Sequence, residues 1–499
     1  MRRASLFLSL CFVLVLLMGC NQGSTSPQVA NSSAQVSLSI TDQPPNGVTV
    51  LFFQIDLTAA YLTPSSGAAN VSLLSNNTPI QIDVTELQAL SAFLSTQSVA
   101  GGTYQSLTLS FANPLLVIFN ASGASIGTCA AGSVCQLTPP IDNNSGTITL
   151  SSAPFPLTLS DSTPIGLLVD FHLNNVVQPD LSVNLGVTNG VTVKTLPPAP
   201  PSGYPPFGFI RGTVENVNPS QNQFTLQTRD GWSFTIDVNG STTYENFPTS
   251  VCPSSAFSCL AAQQVVKVQV AGVEGPGTLL AGEVDYLQQA SQQTVEGDII
   301  GLSTVGGNTT MKVLLHWSPN ASLLPFGGVA MVTVPATAAF SVDSGSFTTI
   351  PSGLSFASAT DLLMGQDVQV NVVAGSLTTS NNMPSWAPPS VSFTTDTIEL
   401  EPSQITGNIS AIGSNGTSFT ITTLPNFFLA WSNHNFMPEQ VTVDTTSQTT
   451  YFGLNPDSFS GLNTNGMVSV RGWLFNTPSG ATPSTQLAEA IVGRGSGFF

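Results

Sequence analysis

Ile210-Arg-Gly-Thr-Val-Glu-Asn-Val217, with Phe224-Thr-Leu-Gln-Thr228 and Ile236-Asp-Val238 behind it, decides the architecture of this chain. Apolar and polar residues alternate through short runs, the pattern of half-buried strands. The series returns as Val295-Glu-Gly-Asp-Ile-Ile300, Met311-Lys-Val-Leu-Leu315 and Val332-Thr-Val334, and again as Ile405-Thr-Gly-Asn-Ile-Ser-Ala-Ile412, Phe419-Thr-Ile-Thr-Thr423 and Val441-Thr-Val443. Each unit continues through Val268-Gln-Val-Ala-Gly272, Val370-Asn-Val-Val-Ala-Gly375 or Val468-Ser-Val-Arg-Gly472. It closes on Leu280-Ala-Gly-Glu-Val284, on residues 391–398, or on Leu487-Ala-Glu-Ala-Ile491. Such self-similarity marks a repeated module. Short strands with Gly at sharp bends predict a small closed barrel of OB-like topology, which leaves no open edge. Blades of a propeller are the alternative, but three units fall short of the usual minimum of about four. The predicted repeats cover 208–290, 293–402 and 403–494, with a tail at 495–499.

Upstream, Leu196-Pro-Pro-Ala-Pro-Pro-Ser-Gly-Tyr-Pro-Pro-Phe207 is a Pro-rich linker, 197–207, expected to be an extended spacer. Before it, residues 36–196 alternate again, in Val36-Ser-Leu-Ser-Ile-Thr-Asp42, Val48–Thr58, Ile80-Gln-Ile-Asp-Val84 and Thr103–Phe111, with further strands expected at 115–119, 147–150, 155–159, 165–173 and 181–193. One short helix is expected after Val84. Thr85 and Gln88 have capping-box spacing, and Leu87, Leu90, Phe93 and Leu94 share a face. The expected fold class is thus all-β: an N-terminal β-sandwich with one short helix, then three small OB-like β-barrels.

Two resemblances accompany this reading. Thr41-Asp-Gln-Pro44, Ile82-Asp-Val-Thr-Glu-Leu87, Ala100-Gly-Gly-Thr-Tyr104 and Leu167-Leu-Val-Asp-Phe-His-Leu173 make residues 36–196 similar to domain of unknown function 4382. That resemblance implies a β-sandwich and carries over no catalytic residue; His172 stands where a second acid is common. The three repeats resemble domain of unknown function 5666.

The chain opens with Arg2-Arg3 and an apolar run from Ala4 to Met18 that ends at Gly19-Cys20-Asn21. The run is short for a membrane span and follows a basic head, as secretory signals do. Leu17-Met-Gly-Cys20 resembles the lipobox of bacterial lipoproteins, which implies cleavage after residue 19 and acylation of Cys20, so that the lipid bilayer is a partner. An ordinary signal cut near this point is the alternative. Asn21 in place of Asp favours the outer membrane, and residues 21–35 form a flexible Ser/Gln/Asn tether. Once residues 1–20 are gone, seven basic residues face twenty-seven acidic ones. That balance excludes nucleic acid as a partner. Only 7 % of residues are charged, against roughly 25 % in an ordinary soluble domain, so Ser, Thr, Asn and Gln must wet the surface. With 41 % hydrophobic residues in sustained alternation, the chain can bury cores, so disorder is rejected outside the linkers.

In an exported chain the pairs Cys129/Cys135 and Cys252/Cys259 predict two local disulfides. Zinc would need four thiolates from distant loops, and no metal or cofactor is expected. Gly123-Ala-Ser-Ile-Gly127 spells a nucleophile-elbow string without the strand-turn-helix context, so it reads as a turn. His172, His316 and His434 lie in separate units and form no local triad or metal spacing. Asp142-Asn-Asn-Ser-Gly146 is a polar turn rather than a calcium loop. The candidate ligand-binding stretch is the aromatic insertion Phe427, Phe428, Trp431, His434 and Phe436. Its rings suit sugar or peptide stacking, although capping the end of the third barrel is the preferred explanation. The functional expectation is a non-enzymatic binding or structural module at the cell envelope, taking glycan, peptidoglycan or an envelope protein. An exported hydrolase with a site assembled between domains is the alternative.

Overall fold

Val50–Pro64 and Gly102–Phe119 form one long antiparallel pair, from Val50 opposite Ile118 to Pro64 opposite Tyr104, with register shifts at Val50/Phe52, Gln54/Asp56, Leu57/Ala59 and Thr63/Pro64. The opening Val-Leu-Phe-Phe-Gln-Ile-Asp-Leu is apolar enough for burial on both faces. Neighbouring strand residues point to opposite sides. Phe53, Ile55 and Leu57 enter the core of the N-terminal domain, while Leu51 and Phe52 join Val117 and Phe119 in a core shared with the second barrel. Across the first core lies a four-stranded sheet, in which Ser33–Gln43 runs parallel to Ile165–His172 and antiparallel to Ala92–Ala100, with Val191–Leu196 at the edge. Phe171 of that sheet meets Phe53 and Phe111 at centroid distances of 5.9 and 5.8 Å. The two sheets make the expected sandwich. The computed structural model describes residues 33–43, 50–74, 78–88, 92–120, 125–142, 146–160, 165–178, 180–196, 209–248, 252, 256–275, 277–289, 293–305, 307–320, 322–343, 347, 350–380, 385, 387–422, 440–476 and 484–494.

The helix expected after Val84 is replaced. Thr85–Leu87 make a single 3-10 turn, and Ala92–Ala100 is a strand on Ser33–Gln43. A short isolated helix gains few bonds for its nucleation cost, whereas Thr96 and Val99 suit extended chain and the neighbouring strand offers a full ladder. The α-helical turn among the described residues is Leu173–Val176. Residues 181–190 are turns rather than strand, with Leu181 and Asn189 at φ of 68° and 57°.

In the first barrel, Phe209–Asn218 pairs with both Gln223–Thr228 and Gln264–Gly275, and Gln223–Thr228 pairs with Ser233–Asp237. Thr278–Gln289 is antiparallel to Gln264–Gly275 and parallel to Ser233–Asp237, which closes the cylinder in the OB manner. Ser403–Ile412, Ser418–Thr422, Val441–Asp444, Met467–Phe475 and Ser484–Gly493 repeat this order in the third barrel. In the second barrel the fifth strand is broken. Ser390–Thr394 pairs with Val329–Val334, and Thr397–Glu401 with Asp367–Asn371. Asn371 Oδ1 accepts hydrogen bonds across the break from Thr395 Oγ1 (2.8 Å), Asp396 N (3.1 Å) and Thr397 N (3.0 Å).

The glycine that opens each repeat has a steric cause. A Cβ on Gly212, Gly297 or Gly407 would strike the carbonyl oxygen of Gln227, Leu314 or Thr422 on the adjacent strand. At the same offset beyond each glycine the first strand carries a bulge, at Val214/Asn216, Ile299/Gly301 and Ile409/Ala411. Close approach followed by a bulge bends a strand tightly enough to close a narrow barrel.

The sandwich touches the first barrel: Arg229 donates to Gln81 Oε1 at 2.7 Å, and Gln81 N donates to Asp230 Oδ2 at 3.3 Å. The Pro-rich segment 197–207 lies outside the described residues, but the domains it joins are in contact rather than held apart.

Candidate functional site

Where sandwich, second barrel and third barrel meet, the strand Ile80–Asp83 and the turn Thr85–Leu87 present Asp83 and Glu86 to His316, near the end of Asn308–Trp317. Nδ1 of His316 lies 2.8 Å from Asp83 Oδ2 and 3.2 Å from Glu86 Oε1, and Nε2 lies 3.2 Å from Asp298 Oδ2. The ring is buried beside Phe52, at a centroid distance of 5.6 Å. A cavity of about 70 Å³ adjoins it, lined by Glu86, Asp298, His316, Asp367 and Gln404 among others. Asp367 is 7 % exposed, and its Oδ1 has no hydrogen-bond partner. Burial, above all, pushes Glu86 up to about 7 against the pull of His316, and Asp83 and Asp298 add to the rise. Burial opposes charge on His316, but Glu86 and Asp83 outweigh it and hold the ring well above the usual imidazole range. Burial likewise raises Asp367, with Glu296 and Glu86 adding. This chemistry can keep a proton on an imidazolium gripped from both sides, or gather three donors around a cation.

A second buried cluster ties the barrels together. Lys267 is 2 % exposed, and its Nζ lies 2.7 Å from Glu401, 3.3 Å from Asp343 and 3.6 Å from Asp285. Arg211 pairs with Glu296 and sits over Trp317, while Arg471 pairs with Glu489 and sits over Phe209 of the first barrel. Trp473 of the third barrel donates from Nε1 to Asp343 O at 2.5 Å and packs edge-on against Phe347. Arg229 lies 3.6 Å over the Phe326 ring, and Arg494 donates to Gln88 O of the sandwich.

Of the residues singled out in the sequence, Cys129–Cys135 and Cys252–Cys259 are bonded, with Cα separations of 5.8 and 5.5 Å. Cys20 and the aromatic set Phe427, Phe428, Trp431, His434 and Phe436 lie outside the described residues. The elbow string ends in a tight bridge between Ile126 and Cys129, beside the first disulfide. Asp142 accepts from Ser182 Oγ at 2.5 Å, which occupies that turn internally. His172 is buried 3.6 Å from Asp170 and remote in sequence from the junction. His316 and Lys267 were not legible as site residues. The two acids of Ile82-Asp-Val-Thr-Glu-Leu87 were marked, but only as part of a family pattern.

Fold and junctions define a modular all-β protein, a sandwich followed by OB-type barrels. Residues 33–193 match Domain of unknown function (DUF4382), and residues 211–285 match Domain of unknown function (DUF5666). The first match covers the sandwich and the second the first barrel. No curated protein matches the chain. Among solved structures it is similar to a point mutant of the major pilin from Streptococcus pyogenes at 6 % identity and a TM-score of 0.10, over 74 % of this chain and 99 % of that chain. A likeness so low carries no argument. No helix among the described residues is long and apolar enough to cross a membrane.

Proposed function

We propose that this protein is an exported lipoprotein, anchored through acylated Cys20 to the outer membrane, whose sandwich and barrels act together as a non-enzymatic structural and binding module of the cell envelope. One observation carries the structural half of this reading. Seven basic residues follow Arg3, and five of them, Arg211, Arg229, Lys267, Arg471 and Arg494, reach across from one domain to another. A chain that commits its scarce cations to internal joints is built to hold a shape. The expected ligands are glycan, peptidoglycan or an envelope protein, and Trp431→Ala tests whether the aromatic insertion takes them or only caps the third barrel.

The hydrolase reading has one observation in its favour, the carboxylate–histidine cluster between domains. Its cavity is small, about 70 Å³, enough for a few waters, so it ranks second. The test uses the full-length protein expressed in a diderm bacterium. A clickable palmitate should label it in a Cys20-dependent manner. The detergent-purified product should sediment with peptidoglycan, less so as Trp431→Ala, and should turn over nothing in a panel of ester, glycoside and peptide substrates. Absence of label would remove the lipoprotein, and multiple turnover would install the hydrolase.

A further inference from the structure

The geometry points to a divalent-cation site at the domain junction, with Asp83 Oδ2, Glu86 Oε1 and His316 Nδ1 as ligands, that fastens the sandwich to the second barrel. These three donors all lie within 4.8 Å of one another, and the two distances from Nδ1 are 2.8 and 3.2 Å. Ligands bound tetrahedrally at roughly 2.0–2.2 Å to one ion stand about 3.3–3.6 Å apart, so both contacts of Nδ1 need only lengthen slightly to receive it. Asp298 takes the far side of the ring, at 3.2 Å from Nε2. A carboxylate accepting the second N–H of a metal-bound histidine fixes the tautomer that leaves the other nitrogen free to ligate.

The second, independent observation is Asp367. Its side chain lines the same cavity, is buried, and leaves Oδ1 without a hydrogen-bond partner. A buried carboxylate oxygen with nothing to bind is costly. A cation held by Glu86 and His316, which line the same cavity, would offset that cost through space. Glu86, Asp298 and Asp367 line that space, Asp83 contacts the same imidazole at Nδ1, and Arg211 is already engaged by Glu296. The junction is thus rich in carboxylates, the donors a divalent ion takes. The imidazole favours Zn²⁺, a cation of borderline softness, over Ca²⁺, and the two carboxylates also suit the harder Mn²⁺. Asp83 and His316 are 233 residues apart in sequence, so the ion would act as a cross-link.

The experiment is calorimetric titration of ZnCl₂, MnCl₂ and CaCl₂ into full-length protein stripped with chelator, together with thermal melts and the Mn²⁺ paramagnetic resonance spectrum. One Zn²⁺ or Mn²⁺ per chain, a raised Tm and weak or absent Ca²⁺ binding are expected. Asp298→Asn should weaken binding by roughly 10–100-fold, and Glu86→Gln and His316→Gln should abolish it. The wild-type measurement stands whether or not a variant folds. No saturable binding of either ion to the wild type would overturn the proposal and leave His316 a buried imidazolium. Undiminished binding in folded Glu86→Gln and His316→Gln would overturn it equally, by placing the ion elsewhere.

Discussion

Lys267 stands in Val265-Val-Lys-Val-Gln-Val270, where Val266 and Val268 fill the first barrel and the alternation sends Lys267 outward. Outward here means into the second barrel, against Asp343 and Glu401. Lys267→Met would strand three buried carboxylates without their cation. Breaking such a pair costs about 3–5 kcal/mol, and chemical denaturation should show a loss of that order. Glu245 makes the complementary case. Burial pushes its carboxyl up to about 8, Glu283 and Asp343 add to this, and Lys267 opposes it. The folded chain holds that proton at pH values where the unfolded chain, at the ordinary 4.5, has released it. Stability is therefore lost as pH rises from about 4.5 to about 8. Glu245→Gln should match the wild-type Tm at pH 4 and exceed it at pH 8; equal curves at both would show the carboxyl to be relaxed. Neither Lys267 nor His316 could be recognised in the sequence: Lys267 occupies an ordinary polar position of an alternating strand, and His316 ends the continuous buried run Val313-Leu-Leu-His316. Period two says which side chains share a face, and nothing about what will cover that face.

Elements were far more legible than joints. The thrice-repeated glycine and the paired short runs led to an OB-like barrel, and the close strand approach at Gly212, Gly297 and Gly407 explains why the signal persisted through diverging neighbours. Gly297→Ala should cost about 1–3 kcal/mol, the range for overpacking, whereas an alanine at the open turn position Gly240, where a Cβ meets nothing, should be near neutral; comparable Tm losses would refute the steric account. The misread element followed Val84. Over so short a run, Leu87, Leu90, Phe93 and Leu94 satisfy a helical stripe without excluding a strand, and the arbiter was a partner strand, Ser33–Gln43, 49 residues or more upstream. Phe52 and Phe53 show the same limit in another form. Adjacent in extended chain, they are buried on opposite sides, and the second side belongs to a core shared with another domain, which alternation alone does not reveal.

At the scale of the molecule, the composition anticipated a string of modules and the structure ties them into a cluster. Gln366 of the second barrel reaches Leu474 O of the third at 2.8 Å, and Gln404 of the third reaches Glu86 O of the sandwich at 2.6 Å. Differential scanning calorimetry should accordingly find the first two barrels melting in one transition, as shared buried charge couples them, and Lys267→Met should split it into two. Two transitions in the wild type would mean that the joints are weak. The inward-turned cations have a further effect on how the protein meets its surroundings. With Arg211, Arg229, Lys267, Arg471 and Arg494 engaged internally and a formal net charge of −18 on the chain, the protein carries a net negative field. Polyanions and acidic headgroups would be repelled, mobile counterions would gather, and raising the ionic strength should let neighbouring molecules crowd closer.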